Sequence, residues 1–275
     1  MGQFSSRLAG HNTMLKSIAR RIVPSKARPF ARRVYYFGTR YRCSVCGSRV
    51  RIHFPSGSDF PVLLEFDVIG GEHFLHDTCP MCWSHSRTRL LYYYLAKEGR
   101  LDRRPQRILH FAPEYMIARM LSNQPGLEYV PVDIQPAHFA DIPNIRCVDV
   151  ANIPYSDNSF DAIICSHVLE HVPDDRCAMR ELYRVLTPGG WAILQVPIAT
   201  KLEHTQEDPS VKDPSERERR FGQDDHVRIY GADYVARLTS AAFRVERFVP
   251  SKRWGERQVR ALRLNPREDL FIGWK

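Results

Sequence analysis

The stretch that decides the fold, residues 149–197, reads DVANIPYSDNSFDAIICSHVLEHVPDDRCAMRELYRVLTPGGWAILQVP. FDAIICSHV and WAILQVP are apolar runs of strand length, and apolar residues recur at helical spacing from about Asp174 to Leu186 between them. A strand, a helix and a strand in this order predict two parallel strands joined by a crossover helix. Because a parallel sheet is covered on both faces, the stretch indicates an α/β domain.

The same alternation continues on both sides of this stretch. The upstream elements are RILHFA, a helix through Ala118 to Leu121, LEYVPVDI and IRCVDV, and the downstream elements are a helix around Ala232 to Ala242, FRVERFV and DLFIGWK. The pattern predicts an α/β sandwich over residues 105–275, with a mostly parallel sheet and its ligand at the carboxyl ends of the strands. We expect the last two strands to form an antiparallel edge hairpin with a short connection.

Two Cys-x-x-Cys pairs, CSVC and CPMC, precede this domain. Four thiolates at this spacing suit a tetrahedral zinc ion, and four protein ligands leave no open position for catalysis. We therefore predict structural zinc, with a redox pair or unliganded thiols as alternatives, on Cys43, Cys46, Cys79 and Cys82. VRIHFP and FPVLLEFDV between the pairs read as strands, which favours a zinc-ribbon-like module over residues 42–100 that ends in a helix through Leu90 and Leu95.

The positive charge is concentrated at the N-terminus. The chain of 275 residues has a formal net charge of +9, and residues 1–53 contain no Asp or Glu. Residues 1–41 read as a basic arm in which a helix over Met14 to Val23 ends before Pro24. We expect the arm to pack on the body or to be partly disordered, and the alternative is that it contacts an anionic membrane surface. Since no apolar run reaches ~18 residues, we expect a cytoplasmic protein, peripheral to the inner face of the membrane if the arm binds lipid.

Two acidic residues lie at the ends of predicted strands, at positions where a Rossmann-like sheet binds a nucleoside. Asp133 ends the apolar strand YVPVDI, and Asp149 lies at the end of the next strand. In such folds an acidic residue at a strand end accepts hydrogen bonds from ribose hydroxyls. A cap or turn role is the alternative for each residue.

The opening stretch resembles the class I S-adenosylmethionine-dependent methyltransferases of the type 11 group, which includes ubiquinone-biosynthesis enzymes. IPYSDNSFD before the fourth strand, VLEH after it and ELYRVLTPGG before the fifth carry the resemblance. It implies a Rossmann-like methyltransferase sandwich with a seven-stranded, mostly parallel sheet. It implies S-adenosylmethionine as cofactor, with ribose at Asp133, adenine at Asp149 and the methionine part beside Ser166. The cofactor-binding residues so predicted are His110, Ala112, Glu114, Asp133, Ile134, Asp149, Val150, Ser166 and His167.

The loop after the first strand departs from the family pattern. A glycine-rich D-x-G-x-G-x-G loop is replaced by LHFAPE, residues 109–114. Ala112 still permits close approach of the cofactor, whereas Pro113 and Glu114 change the cradle. Glu114 is predicted to meet the positively charged amino group of the cofactor or, alternatively, to form a salt bridge to the body. CPMC together with LHFAPE is similar to a bacterial subgroup of these enzymes with an N-terminal zinc-binding segment.

Three histidines, His167, His171 and His226, are the candidate catalytic residues. A sulfonium methyl group is already activated, so the protein must align an acceptor and remove its proton, for which one histidine suffices. His167, Glu170 and His171 share one face if a helix begins there. This arrangement resembles the metal-binding Glu-x-x-Glu-His of some O-methyltransferases, and His226 as a fourth ligand would favour Zn, Fe or Mn. A histidine base without metal and packing of the cofactor pocket are the alternatives.

These observations predict O-methylation of a small molecule or saccharide, with the polar residues 199–223 as a lid or a solvated loop. An RNA methyltransferase with a zinc-binding recognition module is the first alternative. Against it, strand four ends in CSHVLEH, without the Asn/Asp-Pro-Pro-aromatic motif of amino-group methylation, and the charge after residue 53 is closer to balanced. The second alternative is a non-catalytic cofactor-binding or scaffold protein.

Overall fold

The computed structural model describes residues 27–98, 101 and 106–275. The arm helix predicted over Met14 to Val23 lies outside these residues. No helix in the described part of the chain is long and apolar enough to cross a bilayer.

Short elements surround the two cysteine pairs. They are α1 (Arg28–Tyr36), β1 (Phe37–Arg42), β2 (Arg49–Val50), β3 (Phe54–Ser56), α2 (Pro61–Glu65), β4 (Val68–Ile69), β5 (Phe74–Thr78) and α3 (Ser86–Lys97). The β1 and β2 strands pair antiparallel on either side of CSVC, and β3 pairs antiparallel with β5, which ends just before CPMC. These pairs have the ribbon-like arrangement that the sequence predicts.

Neither strand predicted between the cysteine pairs forms as one continuous strand. VRIHFP is divided between β2 and β3, with residues 51–53 outside both. FPVLLEFDV forms α2 and the two-residue strand β4 instead of one continuous strand. Pro61 at the start of α2 has a φ suited to a helix and lacks an N–H that the first turn does not use. A short apolar run fits either structure, so the proline favours the helix, which buries Val62 and Leu63.

The following domain alternates strands and helices. Its elements are β6 (Gln106–Phe111), α4 (Tyr115–Ser122), β7 (Leu127–Asp133), a 3-10 helix (Pro136–Phe139), β8 (Arg146–Cys147), β9 (Phe160–Ser166), a 3-10 helix (Leu169–His171), α5 (Asp175–Val185), β10 (Leu186–Gln195), β11 (Ile198–Ala199), β12 (Gln206–Glu207), α6 (Pro214–Phe221), β13 (Arg228–Ile229), α7 (Tyr234–Ser240), β14 (Arg244–Phe248), α8 (Pro250–Trp254), α9 (Glu256–Ala261) and β15 (Leu270–Trp274). Residues 199–223 are thus folded, since they contain β12 and α6.

Seven strands form one sheet in the order β14-β15-β10-β9-β6-β7-β8. The strands from β10 to β8 pair in parallel, and β15 runs antiparallel to both of its neighbours. This is the Rossmann-like, mostly parallel sheet that the sequence predicts. The last two strands pair antiparallel as expected, but their short connection is wrong: it carries α8 and α9, and only β14 lies at the edge.

Helices cover both faces of this sheet. Side chains of α3, α4 and α9 pack on one face, and side chains of α5 and α7 pack on the other. The helix that trails the cysteine pairs therefore belongs to the packed core of the domain. A second link is the antiparallel pairing of β4 with β11.

Arg89 of α3 joins the cysteine-containing region to the C-terminal part of the chain. Its guanidinium is fully buried and donates hydrogen bonds to the carbonyl oxygens of Asp77, Ser84, Leu262 and Arg263. A buried charge is tolerated only where its hydrogen-bonding groups are satisfied. The cysteine region and the domain are therefore held together by a buried polar contact as well as by strand pairing.

Candidate functional site

LHFAPE leaves the sheet at the carboxyl end of β6, beside the end of β7, where a parallel α/β sheet has its ligand-binding crevice. Ala112 has a φ of 45°, in the left-handed region, and its N–H donates a 3.1 Å hydrogen bond to the carbonyl of Val132. This conformation usually requires glycine because a Cβ is strained there. Alanine, with the smallest side chain after glycine, keeps the sharp turn that a glycine-rich loop would make.

Glu114, at the end of this turn, is partly exposed and is fixed by His110. The Nε2 of His110 lies 3.1 Å from Oε2 of Glu114, and its Nδ1 lies 3.0 Å from the hydroxyl of Tyr129. Burial alone would raise the pKa of Glu114, but the His110 imidazole outweighs burial and lowers it. His110 is itself fully buried with both ring nitrogens engaged, so it positions Glu114 and does not face the crevice.

The acidic residues predicted to bind a nucleoside lie along the same edge of the sheet. One oxygen of Asp133 accepts from the N–H of Gln135 at 2.6 Å, and one oxygen of Asp149 accepts from the N–H of Ala151 at 2.8 Å. Each carboxylate thus uses one oxygen in a local turn and has a second for another partner. Ile134 is 60% exposed beside Asp133. Of the other two predicted residues, Val150 is buried and Ser166 ends β9 with little exposure.

The histidine-containing turn follows β9. No α-helix begins there: Leu169–His171 is a single 3-10 turn, and His167 before it has a left-handed φ of 55°. The Nδ1 of His167 lies 3.2 Å from Oε1 of Glu170, without the alignment of a hydrogen bond. The ion-pair distance between Nδ1 of His171 and Oδ2 of Asp225 is 3.3 Å. The expected shared helix face is therefore replaced by a tight turn.

His226 joins this turn from a distant part of the chain. Its ring lies 4.7 Å from the ring of His171, centre to centre, and its Nδ1 donates to the carbonyl of Phe221 at 3.3 Å. Glu170, His171 and His226 each offer one ligand atom, and these atoms lie within 4.8 Å of one another. Of the four residues that the sequence predicts as a metal-binding set, these three lie together, and His167 is not part of the group.

Glu170 is the most unusual member of this cluster. Its side chain is 2% exposed, and neither carboxylate oxygen has a hydrogen bond within the described chain. Burial alone would raise its pKa, but the imidazoles of His167, His171 and His226 lower it to about 2. Burial lowers the pKa of His226 to about 4. A buried carboxylate without hydrogen bonds destabilises the folded state. A cation or a hydrogen-bond donor that bound Glu170 would remove this cost.

Arg228 fixes the 3-10 turn Leu169–His171 by hydrogen bonds to backbone carbonyls in it and directly after it. Its buried guanidinium donates to the carbonyls of Leu169, Val172 and Pro173 and to the carboxylate of Glu207. These carbonyls flank the cluster residues of the 3-10 turn. Arg228 therefore positions the cluster without belonging to it.

A cavity of about 520 Å³ lies in front of the cluster. One wall consists of the His167 turn and residues 218–229, and the other comes from residues 56–77 and 85–87 of the cysteine-containing region. Arg87 belongs to the second of these groups, and Glu268 also lines the cavity. Sequence reasoning missed these two residues because neither stands in a motif, and only the tertiary fold brings them beside His167.

The four predicted zinc ligands lie together. Sγ atoms of Cys43 and Cys82 are 3.7 Å apart, and those of Cys46 and Cys79 are 3.9 Å apart. Zn–S bonds of about 2.3 Å in a tetrahedron place the sulfurs roughly 3.8 Å apart, so the spacing fits. Contacts among the thiols lower the pKa of Cys43 and raise that of Cys79.

The two cysteine loops have the same backbone geometry. In each loop the N–H four residues on donates to the first cysteine's carbonyl, from Gly47 to Cys43 at 2.9 Å and from Trp83 to Cys79 at 3.0 Å. Gly47 and Trp83 both have positive φ, of 70° and 60°. Two matching loops that direct four sulfurs to one point are typical of a metal-binding knuckle pair.

The sheet order agrees with what sequence comparison finds. Residues 114–194 match the family model described as a methyltransferase domain. The chain thus carries a Rossmann-like methyltransferase domain, preceded by a segment with four clustered cysteines.

Among curated proteins, the chain is similar to two demethylmenaquinone methyltransferases over a short stretch. It is 46% identical over 50 residues to that of Corynebacterium urealyticum, which is 18% of this chain and 21% of the relative. It is 43% identical over 56 residues to that of Staphylococcus epidermidis, which is 20% of this chain and 23% of the relative. The similarity spans about a fifth of the length of these relatives.

Two solved structures are similar at low identity. An S-adenosylmethionine-dependent methyltransferase from Archaeoglobus fulgidus is 14% identical, with 70% of this chain and 95% of that chain covered and a TM-score of 0.45. One from Mesorhizobium loti is 14% identical, with 69% and 98% covered and a TM-score of 0.45.

Proposed function

We propose that this protein is an S-adenosylmethionine-dependent methyltransferase that methylates a hydroxyl group of an uncharged small molecule or saccharide. The main support for this proposal is the cavity of about 520 Å³ beside His167, at the carboxyl end of β9. A cleft of this size suits a small ligand. It lies where the resemblance puts the methionine end of the cofactor, so an acceptor bound there would lie near the methyl group.

The crevice at β6 and β7 fits S-adenosylmethionine. The left-handed Ala112 turns the chain back without placing a long side chain over the crevice. Ile134 offers an exposed apolar surface to adenine, and Asp133 retains one oxygen for ribose hydroxyls. When bound, the cofactor supplies a sulfonium whose methyl group is already activated for transfer.

The charge of the cavity argues against an anionic acceptor. Seven carboxylates line it: Glu72, Asp77, Glu170, Glu218, Asp224, Asp225 and Glu268. Arg87 and Arg228 are the cations in the lining, and the second is already bound to Glu207 and backbone carbonyls. Nucleic-acid sites are instead positively charged because they neutralise phosphates. An uncharged acceptor rich in hydroxyls suits this lining better than RNA does.

His226 is assigned to removal of the acceptor's proton. Its Nδ1 donates to the carbonyl of Phe221, so its Nε2 has the free lone pair that a general base needs. Glu170 stabilises the imidazolium that forms, and His171 completes the cluster. His167 borders the cavity at the cofactor side and orients the acceptor.

A divalent cation held by Glu170, His171 and His226 is a second candidate for this step. The buried Glu170 carboxylate without hydrogen bonds favours it. His171 and His226 both have Nδ1 engaged by a protein oxygen, the arrangement that orients Nε2 toward a metal. This donor set suits Zn, Fe or Mn, and an ion there would make an acceptor hydroxyl more acidic. The four cysteines would hold a separate, structural zinc ion.

Calorimetry with S-adenosylhomocysteine tests the cofactor assignment. We expect binding, and no binding at millimolar ligand would overturn the proposal and favour a scaffold. Transfer of a labelled methyl group from S-adenosylmethionine to phenols, polyols, monosaccharides and total RNA then tests the acceptor class. Labelling of RNA alone would contradict an uncharged small acceptor.

Variants test the cluster. His226→Ala and Glu170→Gln should abolish transfer while S-adenosylhomocysteine affinity stays within about twofold, and His204→Ala, at an exposed histidine outside the cavity, should retain transfer. Loss of activity on chelation with recovery by Mn²⁺ or Zn²⁺ would favour the metal. Full activity of metal-free protein would leave His226 as the base.

A further inference from the structure

Arg87 stands out among the residues of the cavity. It is the second residue of α3 and follows the CPMC pair. It is half-buried, and no hydrogen bond or ion pair engages its guanidinium within the described residues. Arg89, two residues on, donates four hydrogen bonds to backbone carbonyls. The first arginine is therefore available to a ligand, whereas the second is structural.

The position of Arg87 relates it to two parts of the site. It lines the cavity together with His167 and Glu268. Its charge also acts on Glu114 of the LHFAPE turn, on His167 and on Glu268. No ion pair of 4 Å or less joins it to either carboxylate in the described structure. Arg87 thus lines the cavity beside His167, and its charge also acts on the oppositely charged Glu114 of the LHFAPE turn.

The methionine part of S-adenosylmethionine ends in an amino acid group, which carries both an ammonium and a carboxylate. Glu114 suits the ammonium, and a guanidinium suits the carboxylate because it can donate two parallel hydrogen bonds. A glycine-rich loop would offer backbone N–H groups here, but LHFAPE has Pro113, which has none, and a left-handed Ala112 whose N–H is already bonded to Val132. Ala112 and Pro113 therefore offer no backbone donor to a carboxylate.

We propose that Arg87, supplied by the helix that follows the cysteine pairs, binds the carboxylate of the methionine part of S-adenosylmethionine opposite Glu114. This inference rests on the proposed function. It makes the cysteine-containing segment part of the cofactor site as well as a wall of the acceptor cavity. An anionic acceptor is the less suitable ligand for Arg87, since Glu218, Asp224 and Asp225 line the same cavity.

Two ligands separate this role from a general effect on the pocket. S-adenosylhomocysteine has the amino acid end, and 5′-methylthioadenosine lacks it. We expect Arg87→Ala to weaken S-adenosylhomocysteine binding at least tenfold, with methylthioadenosine affinity changed less than twofold in calorimetry. Arg119→Ala, at an exposed arginine of α4, is the matched control and should change neither affinity.

The inference would be overturned if Arg87→Ala weakened the binding of both ligands equally. It would also be overturned if the variant unfolded at the wild-type temperature and bound S-adenosylhomocysteine with unchanged affinity. Arg87→Lys should recover part of the affinity for S-adenosylhomocysteine only, which excludes a purely structural role. If the wild-type protein binds neither ligand, the proposed function itself fails and the inference falls with it.

Discussion

The backbone N–H of Val227 donates a 3.0 Å hydrogen bond to the carbonyl oxygen of Glu170. This bond joins the segment that carries His226 to the turn that carries Glu170 and His171. The cluster is thus built on two pieces of backbone that are fixed to each other, so its geometry depends on the groups that hold this junction.

Arg228 is the first of these groups, and its loss should be costly. Arg228→Met removes a donor from the carbonyls of Leu169, Val172 and Pro173 and from the carboxylate of Glu207. Tyr230 still donates to Leu169 and Arg237 to Glu207, so the carbonyls of Val172 and Pro173 are the acceptors most affected. We expect the free energy of unfolding to fall by about 3 kcal/mol in urea titrations, because a buried group left unpaired bears its full desolvation cost. Arg180→Ala, at an exposed arginine of α5, should change it by less than about 0.5 kcal/mol. A loss below about 1 kcal/mol for Arg228→Met would contradict this role.

The cysteine cluster should hold one zinc ion independently of the histidine cluster. We expect Cys43→Ser with Cys79→Ser to remove one equivalent of zinc in elemental analysis and to lower the unfolding temperature strongly, since a structural site contributes to folding directly. Cys147→Ser, at an exposed cysteine outside the cluster, serves as the control and should retain the zinc. Full zinc content in the double variant would refute the assignment.

At position 112, glycine should preserve cofactor binding and a β-branched residue should weaken it. Ala112→Gly relieves the left-handed strain and should keep S-adenosylhomocysteine affinity within about twofold, whereas Ala112→Val should weaken it at least tenfold. Ala242 has a similar φ of 73° away from the crevice, so Ala242→Val should cost stability without changing affinity. Equal affinity for Ala112→Val and the wild-type protein would show that this turn does not contact the cofactor.

Glu268 should make stability fall with rising pH. Burial is the main cause that raises its pKa to about 7 from 4.5, with Arg87 opposing and Glu72 and Asp77 reinforcing the shift. Between pH 4.5 and about 7 the folded protein therefore binds a proton at Glu268 that the unfolded chain does not bind. The stability that this proton contributes is fully present below pH 4.5 and is lost as the pH rises through about 7. From pH 5 to 8 the loss is at most roughly 3 kcal/mol.

Glu268→Gln should lack this pH-dependent loss, because its side chain does not titrate. Glu246→Gln, at an exposed glutamate of β14, should retain the loss. Urea unfolding of the three proteins at pH 5 and pH 8 measures the difference. An equal fall in stability for Glu268→Gln and the wild-type protein would contradict the assignment.

Sequence periodicity predicted the main sheet because its central strands and the helices between them have clear apolar patterns. FPVLLEFDV was predicted wrongly because a short apolar run fits a helix or a strand. The meeting of Glu170, His171 and His226 was predicted from residue type, but their geometry was not, because a 3-10 turn replaces the expected helix. Arg87 and Glu268 were missed because their roles arise only from tertiary contacts between distant segments.

The contacts of the cysteine-containing segment with the end of the chain also bear on the order of synthesis. Asn265 donates its amide N–H to Glu72 at 2.7 Å and its backbone N–H to Ser86 at 2.6 Å, and Arg89 needs the carbonyls of Leu262 and Arg263. Chains usually fold from the N-terminus as they leave the ribosome. Here the segment made first acquires its buried partners only when nearly the whole chain has emerged, so a nascent chain that stops before residue 262 keeps the Arg89 guanidinium without two of its acceptors.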